Sequence, residues 1–237
     1  MNTGTAEIAL SPSAVPRVLG VLAVLLVVAS VAGQIAKLGF GHDYVMGLVT
    51  LFNVDAEQNI PTYFSVLLLL TAAFLLAVTA VVEARANRAR WPWALLSSGF
   101  LCIGYDEAFQ AHEQLIDPMR RILGGGHLGL FSFAWVVPGL VLVCLLSLVF
   151  LRFLIRLPAP TRRRFVLAAV IYLGGAIGME MVGGWTSELH GEQSWQYSTM
   201  VTIEESLEMA GLITFVWALL QRWADGTTDI VVRFRQS

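Results

Sequence analysis

Leu101-Cys102-Ile103-Gly104-Tyr105-Asp106-Glu107-Ala108-Phe109-Gln110-Ala111-His112-Glu113 is the stretch on which the reading of this chain turns. An apolar run opening at Pro92 passes into Asp106, Glu107, His112 and Glu113 with no Lys or Arg to answer them. A second acidic group, Glu204-Glu205-Ser206-Leu207-Glu208, lies near the start of the last long apolar segment. Glu180 stands alone in the segment between. Asp106-Glu107-x-x-Gln110 and Glu204-Glu205-x-x-Glu208 share one spacing. Ionisable groups inside a membrane span are costly, and they mark functional sites by default.

Working outward, the composition leaves little room for a soluble reading. The chain is 57% hydrophobic and 14% charged, whereas soluble domains carry about 25% charged residues. Several apolar runs reach the ~20 residues that cross a bilayer. The net charge of -2 is segregated along the sequence and forms no basic face, so nothing points to nucleic acid. Cys102 and Cys144 sit mid-span without CxxC spacing and read as small buried hydrophobes. The first apolar segment is too long for a signal peptide and lacks a clean small-residue cleavage site, so it reads as a retained span.

These runs predict an all-α, polytopic membrane protein. A bundle of six spans is expected at about 16–37, 61–84, 92–115, 131–155, 164–189 and 198–222. Residues 1–15 then form an N-terminal segment, 16–222 the transmembrane domain and 223–237 a tail with an Ile-Val-Val-Arg-Phe-Arg alternation. Pro61 and Pro92 suit the first turns of their helices. Of the fifteen Lys and Arg, all but Lys37, Arg120 and Arg121 fall on one side of this topology. The positive-inside rule therefore puts both termini in the cytoplasm, as expected for a bacterial inner (plasma) membrane protein. The outer connection contains 44–52, too short to span and suited to an interfacial or re-entrant piece. Asp55, Glu57 and Asn59 follow it and read as a solvated helix cap.

Depth brings the acids to one level. At 1.5 Å per residue, Asp106 lies about 21 Å along its span from the inner side, and Glu180 about 24 Å along its own. Glu204, Glu205 and Glu208 fall about 12–18 Å from the outer end of the last span. Helical phase puts those three within one arc of about 100°, and Asp106, Glu107, Gln110 and Glu113 within a comparable one. Gly174, Gly175, Gly178, Gly183 and Gly184 permit neighbours to close around Glu180.

Seven unpaired acids at these depths would cost on the order of 20 kcal/mol. Metal cations, protons or water must offset that. Oxygen-rich ligation with one imidazole suits Fe, Mn or Zn. Carboxylates projecting from several bundle helices also build di-iron and di-manganese sites, although the Glu-x-x-His pair of those sites is missing here. The expectation is a mono- or dinuclear metal centre held by Asp106, His112, Glu113, Glu180, Glu205 and Glu208. Glu107 and Glu204 would serve as catalytic proton donor or acceptor. A membrane-embedded hydrolase or oxidoreductase acting on a lipid-like substrate follows, with membrane lipids as its surroundings. Two alternatives use the same acids: a proton or divalent-cation transporter, and a non-catalytic subunit of a membrane complex.

Overall fold

In a computed structural model that describes residues 11–226, the chain is all-helical, with no strand among the described residues. Four helical segments are long and apolar enough to cross a membrane: Ala14–Gly39, Ile60–Arg85, Val136–Arg156 and Ala159–His190. The first comprises α1 (Ala14–Gln34) and a π-helical extension, Ile35–Gly39. A short helix α2 (Leu48–Phe52) precedes the second, α3 (Ile60–Arg85). α4 (Trp91–Phe109) and α5 (Ile116–Ile122) precede the third, α6 (Val136–Arg156). The fourth runs from α7 (Ala159–Leu173) through a π-helical segment, Gly174–Met179, into α8 (Glu180–His190). The last helix is α9 (Trp195–Ala224).

Each of the six expected segments falls on a helix, but α4 and α9 are not among the four. Their acids lower their hydropathy. The tail's apolar alternation and most of the N-terminal segment lie outside the described residues.

Helix starts follow simple rules. Asn59 caps α3 by accepting from the Thr62 N–H, and Pro61 follows in the first turn, where its missing donor is not needed. Ser194 caps α9 by accepting from the Tyr197 N–H. Helix α4 departs from the uninterrupted helix expected over 92–115. It stops at Phe109 because Gln110 adopts a left-handed conformation (φ 53°), a conformation that ends helices. A 3₁₀ turn, Glu113–Leu115, then leads into α5. The 44–52 piece folds back as a 3₁₀ turn plus α2, with Val49 buried against α1 at Gly33.

α9 occupies the centre and packs against α1, α3, α7 and α8. In lipid, apolar surface gains little by leaving one hydrocarbon phase for another, so helices associate through close packing of small residues. Gly211 shows this directly: a Cβ there would lie 2.6 Å from the Tyr172 backbone nitrogen. Ala72, Ala73 and Ala80 on α3 and Ala218 on α9 are likewise buried. Leu76, Val216 and Leu219 fill one core, with Phe100 stacked on Phe215 at 4.8 Å. Leu68, Leu69, Met209 and Leu212 fill a second. Helix α6 is peripheral, and Val141, Leu145, Leu148 and Ile155 are exposed along it. Cys102 and Cys144 are exposed too, which corrects their reading as buried hydrophobes.

Candidate functional site

The N-terminal half of α9, the end of α4, the start of α8 and the 53–59 loop surround a cavity of about 440 Å³. Ten of its twenty-one lining residues are acids, one is His112, and none is Lys or Arg. Asp106, Glu107, His112, Glu113, Glu180, Glu204, Glu205 and Glu208 all line it.

Local backbone irregularity delivers several of these groups. Beyond the break at Gln110 the chain continues through a 3₁₀ turn into α5. The two oxygens of Asp106 then accept from His112 twice over: Oδ1 from the backbone N–H at 2.7 Å, and Oδ2 pairs with Nδ1 at 2.9 Å. The His112 ring sits 4.6 Å from that of Trp135. Glu113 lies beyond the same break, in the 3₁₀ turn, and so does not reach the cavity by the helical phase expected for it. Glu180 follows directly on the π-helical segment, and its Oε1 accepts from Trp135 Nε1 at 2.6 Å. Single π turns inside α-helices recur at functional sites because the extra residue re-aims side chains.

Glycine sets how close α9 comes. A Cβ on Gly175 would lie 2.8 Å from the Glu204 carbonyl oxygen and 3.0 Å from Glu208 Cγ. Only hydrogen at that position lets the π segment rest against the acidic turn of α9. Gly183 faces Glu204 Oε2, with a Cβ–oxygen distance of 3.7 Å. Gly184 makes room for Phe133, whereas Gly174 and Gly178 face nothing within 4 Å and so do not serve the close approach expected of them.

Asp55 and Glu57 also line the cavity, so only Asn59 of that trio is a helix cap. Asp55 Oδ1 accepts from the Tyr197 hydroxyl at 3.0 Å. Burial pushes its carboxyl above the ordinary range, the Tyr197 bond partly offsets this, and Glu192 adds to it. Glu57 is pushed up to about 7, first by burial and then by the nearby charges of Glu107 and Glu113. One of its oxygens, Oε2, is buried without a hydrogen-bond partner. Beyond the end of α4, burial pulls the His112 imidazole down. The hydrogen bond and charge of Asp106 more than reverse this and hold it above its ordinary value. Glu192, Tyr172, Tyr197 and Trp135 complete the wall. A polar cluster just before Pro61 was the one sequence signal for the 55–57 acids, and cap chemistry explains that pattern equally well.

Not every acid at this end faces the cavity. Glu188 accepts from the Leu128 and Gly129 backbone N–H groups, each at 3.0 Å, and pins the connection before α6. Arg120, which opposed the charge rule, donates to the Ser132 and Gly126 carbonyls and so ties the same loop.

Among the described residues, no three His, Cys, Asp or Glu side chains stand so that they could hold a metal ion. The acids are distributed around the wall. Their chemistry nonetheless fits a hard or borderline divalent cation: many carboxylate oxygens and one imidazole. With Nδ1 occupied by Asp106, the nitrogen left to a cation is Nε2, and metal-binding histidines commonly show this carboxylate–imidazole arrangement.

A family model described as a domain of unknown function, DUF8692, matches residues 18–223. The chain belongs to that family. The matched region contains every residue that lines the acidic cavity. No curated protein and no solved structure matches the chain.

Proposed function

We propose that this chain is a six-span membrane metalloprotein whose acid-lined cavity holds one or two divalent cations (Fe, Mn or Zn). In this reading it is an enzyme that hydrolyses or oxidises a lipid-like substrate. One observation carries the proposal: ten acids and a single imidazole face one cavity that no Lys or Arg lines. Uncompensated, such a group of charges beside hydrocarbon costs many kcal/mol, and a divalent cation neutralises two of them at a stroke.

In this reading the cavity-lining residues divide the work. His112 Nε2, Glu113, Glu180, Glu205 and Glu208 supply ligands. Asp106, with both oxygens committed to His112, positions the imidazole and is not itself a ligand. Glu107 and Glu204 hold and move protons. A bound cation supplies Lewis acidity and an acidified water, or a site for dioxygen chemistry. Ile103, Ile116 and Phe133 in the cavity wall offer an apolar flank for a substrate arriving from the bilayer.

α4 and α9 are proposed as the third and sixth spans, since neighbouring helices and the cavity shield their acids. Both termini are assigned to the cytoplasm of a bacterial inner membrane by the distribution of Lys and Arg. The transporter alternative meets an obstacle: Leu76, Phe215, Val216 and Leu219 form an apolar core inward of the acids.

Elemental analysis of the purified protein beside Glu205→Gln/Glu208→Gln tests the metal. The expected result is near-stoichiometric Fe, Mn or Zn in the native protein and its loss in the variant. Metal absent from the native protein after supplementation, or retained undiminished by the variant, would refute the reading. Labelling of single cysteines placed at 192 and 159, with Cys102 and Cys144 replaced by Ser, tests the topology. Opposite sidedness is expected.

A further inference from the structure

At the opposite end of the bundle the ends of α3, α6 and α9 and the starts of α4 and α7 enclose a second cavity of about 1030 Å³. Its charge is reversed. Five arginines line it against two acids, Glu83 and Asp225. Both acids are already engaged. Arg88 and Arg222 both donate to Glu83, and Arg164 donates to Asp225 at 2.8 Å. Arg222 also lies over the Trp93 ring at 4.5 Å. Arg152 and Arg156 remain, and among the described residues neither meets a carboxylate. They stand one turn apart near the end of α6, a spacing at which like charges repel.

The place of this cavity matters as much as its charge. It lies at helix ends, where a bilayer presents its headgroups, and exposed Trp91 on its wall suits that interfacial level. Guanidinium forks match the oxygens of a phosphate, and basic pockets between membrane helices hold anionic headgroups. The volume is ample, since pockets for ligands of that size run to about 300–1,000 Å³. We propose that this cavity binds a phosphate-bearing anion, foremost an anionic phospholipid headgroup, with Arg152 and Arg156 as its clamp. The inference is independent of any role for the acidic cavity.

The test uses the full chain in detergent, with thermal unfolding followed as short-chain phosphatidylglycerol, phosphatidylcholine or inorganic phosphate is added. Phosphatidylglycerol is expected to stabilise the native protein and phosphatidylcholine to leave it unchanged. Arg152→Gln/Arg156→Gln is expected to weaken phosphatidylglycerol binding by about tenfold to a hundredfold or more, at least the worth of one charge-assisted hydrogen bond. Arg152→Lys/Arg156→Lys, which keeps the charge and loses the fork, should fall between, and Arg121→Gln at the other end should bind as the native protein does. A response to inorganic phosphate as strong as that to phosphatidylglycerol assigns the site to a soluble phosphate compound. Equal stabilisation by both lipids, or a Gln variant that binds as the native protein does, would overturn the proposal.

Discussion

Asp106→Asn separates a positioning residue from a ligand. Asp106 commits Oδ1 to the His112 backbone N–H and Oδ2 to Nδ1, so its whole effect on a cation should pass through the imidazole. Asparagine keeps one carbonyl acceptor for the backbone N–H and turns its amide donor toward Nδ1. Nδ1 must then accept, the ring proton moves to Nε2, and the nitrogen facing the cavity loses its lone pair. Removing such a partner of a metal-binding histidine typically costs 10–100-fold in affinity, or about 1.4–2.7 kcal/mol. The assay is calorimetric titration of the chelator-stripped protein with Zn²⁺ for the native chain, Asp106→Asn, His112→Gln and the double variant. If Asp106 works through His112, the double variant binds no more weakly than His112→Gln alone, a non-additivity that marks coupled groups. Additive losses would show Asp106 to be a ligand in its own right. Undiminished affinity in every variant would remove His112 from the site.

Three further outcomes are expected. Gly211→Ala drives a Cβ to 2.6 Å from the Tyr172 backbone nitrogen, so thermal unfolding in detergent should show a loss of about 1–3 kcal/mol or more, whereas Gly99→Ala, with nothing within 4 Å, serves as an unaffected control for packing. Glu57 has a folded-state pKa of about 7, above the ordinary 4.5, so its contribution to stability is full below pH 4.5 and lost as pH rises through 7. Chelator-treated protein should therefore lose stability across that window, and Glu57→Gln should flatten the loss. Glu83→Ala leaves Arg222 and Arg88 without their shared acid, so the unfolding midpoint should fall, by less than the ~3–5 kcal/mol of a fully buried pair because the Arg88 side chain is exposed.

Regular structure was legible in the sequence, and irregular structure was not. Pro61 and Pro92 located the starts of α3 and α4 to within one residue, because hydropathy and first-turn chemistry are local properties, but the expected end at 115 overran α4. Helix rise put Asp106, Glu180 and the α9 acids at a common depth, and these residues line one cavity. Hydropathy alone, however, marks only four of these helices as spans, since the acids of α4 and α9 count against them. Glu57 was misread for a different reason. A short polar loop before a proline looks the same whether it faces water or folds over a cavity, and only tertiary contacts decide.

Two backbone irregularities adjoin the acidic cavity, the left-handed Gln110 and the π segment Gly174–Met179, whereas the π segment Ile35–Gly39 and the left-handed Val45, Met46 and Asn87 line no part of it. A helix continued through Gln110 would have carried His112 and Glu113 onward along its own axis. The left-handed residue instead returns His112 to Asp106 and brings Glu113 into the same wall. An unbroken α-helix through Gly174–Met179 would aim Glu180 differently. The π segment sets its phase so that Trp135 can donate to it. A side chain at Gly175 would hold that segment away from the acidic turn of α9. Left-handed non-glycine residues and π turns persist only where the surrounding structure sustains them. Here the break after α4 and the π segment with its Gly175 contact, two different elements, each bring charge toward one cavity in a setting where charge is expensive. If a divalent cation occupies this cavity, as proposed, stripping and restoring it should change hydrogen-exchange protection first around 106–113 and 174–180.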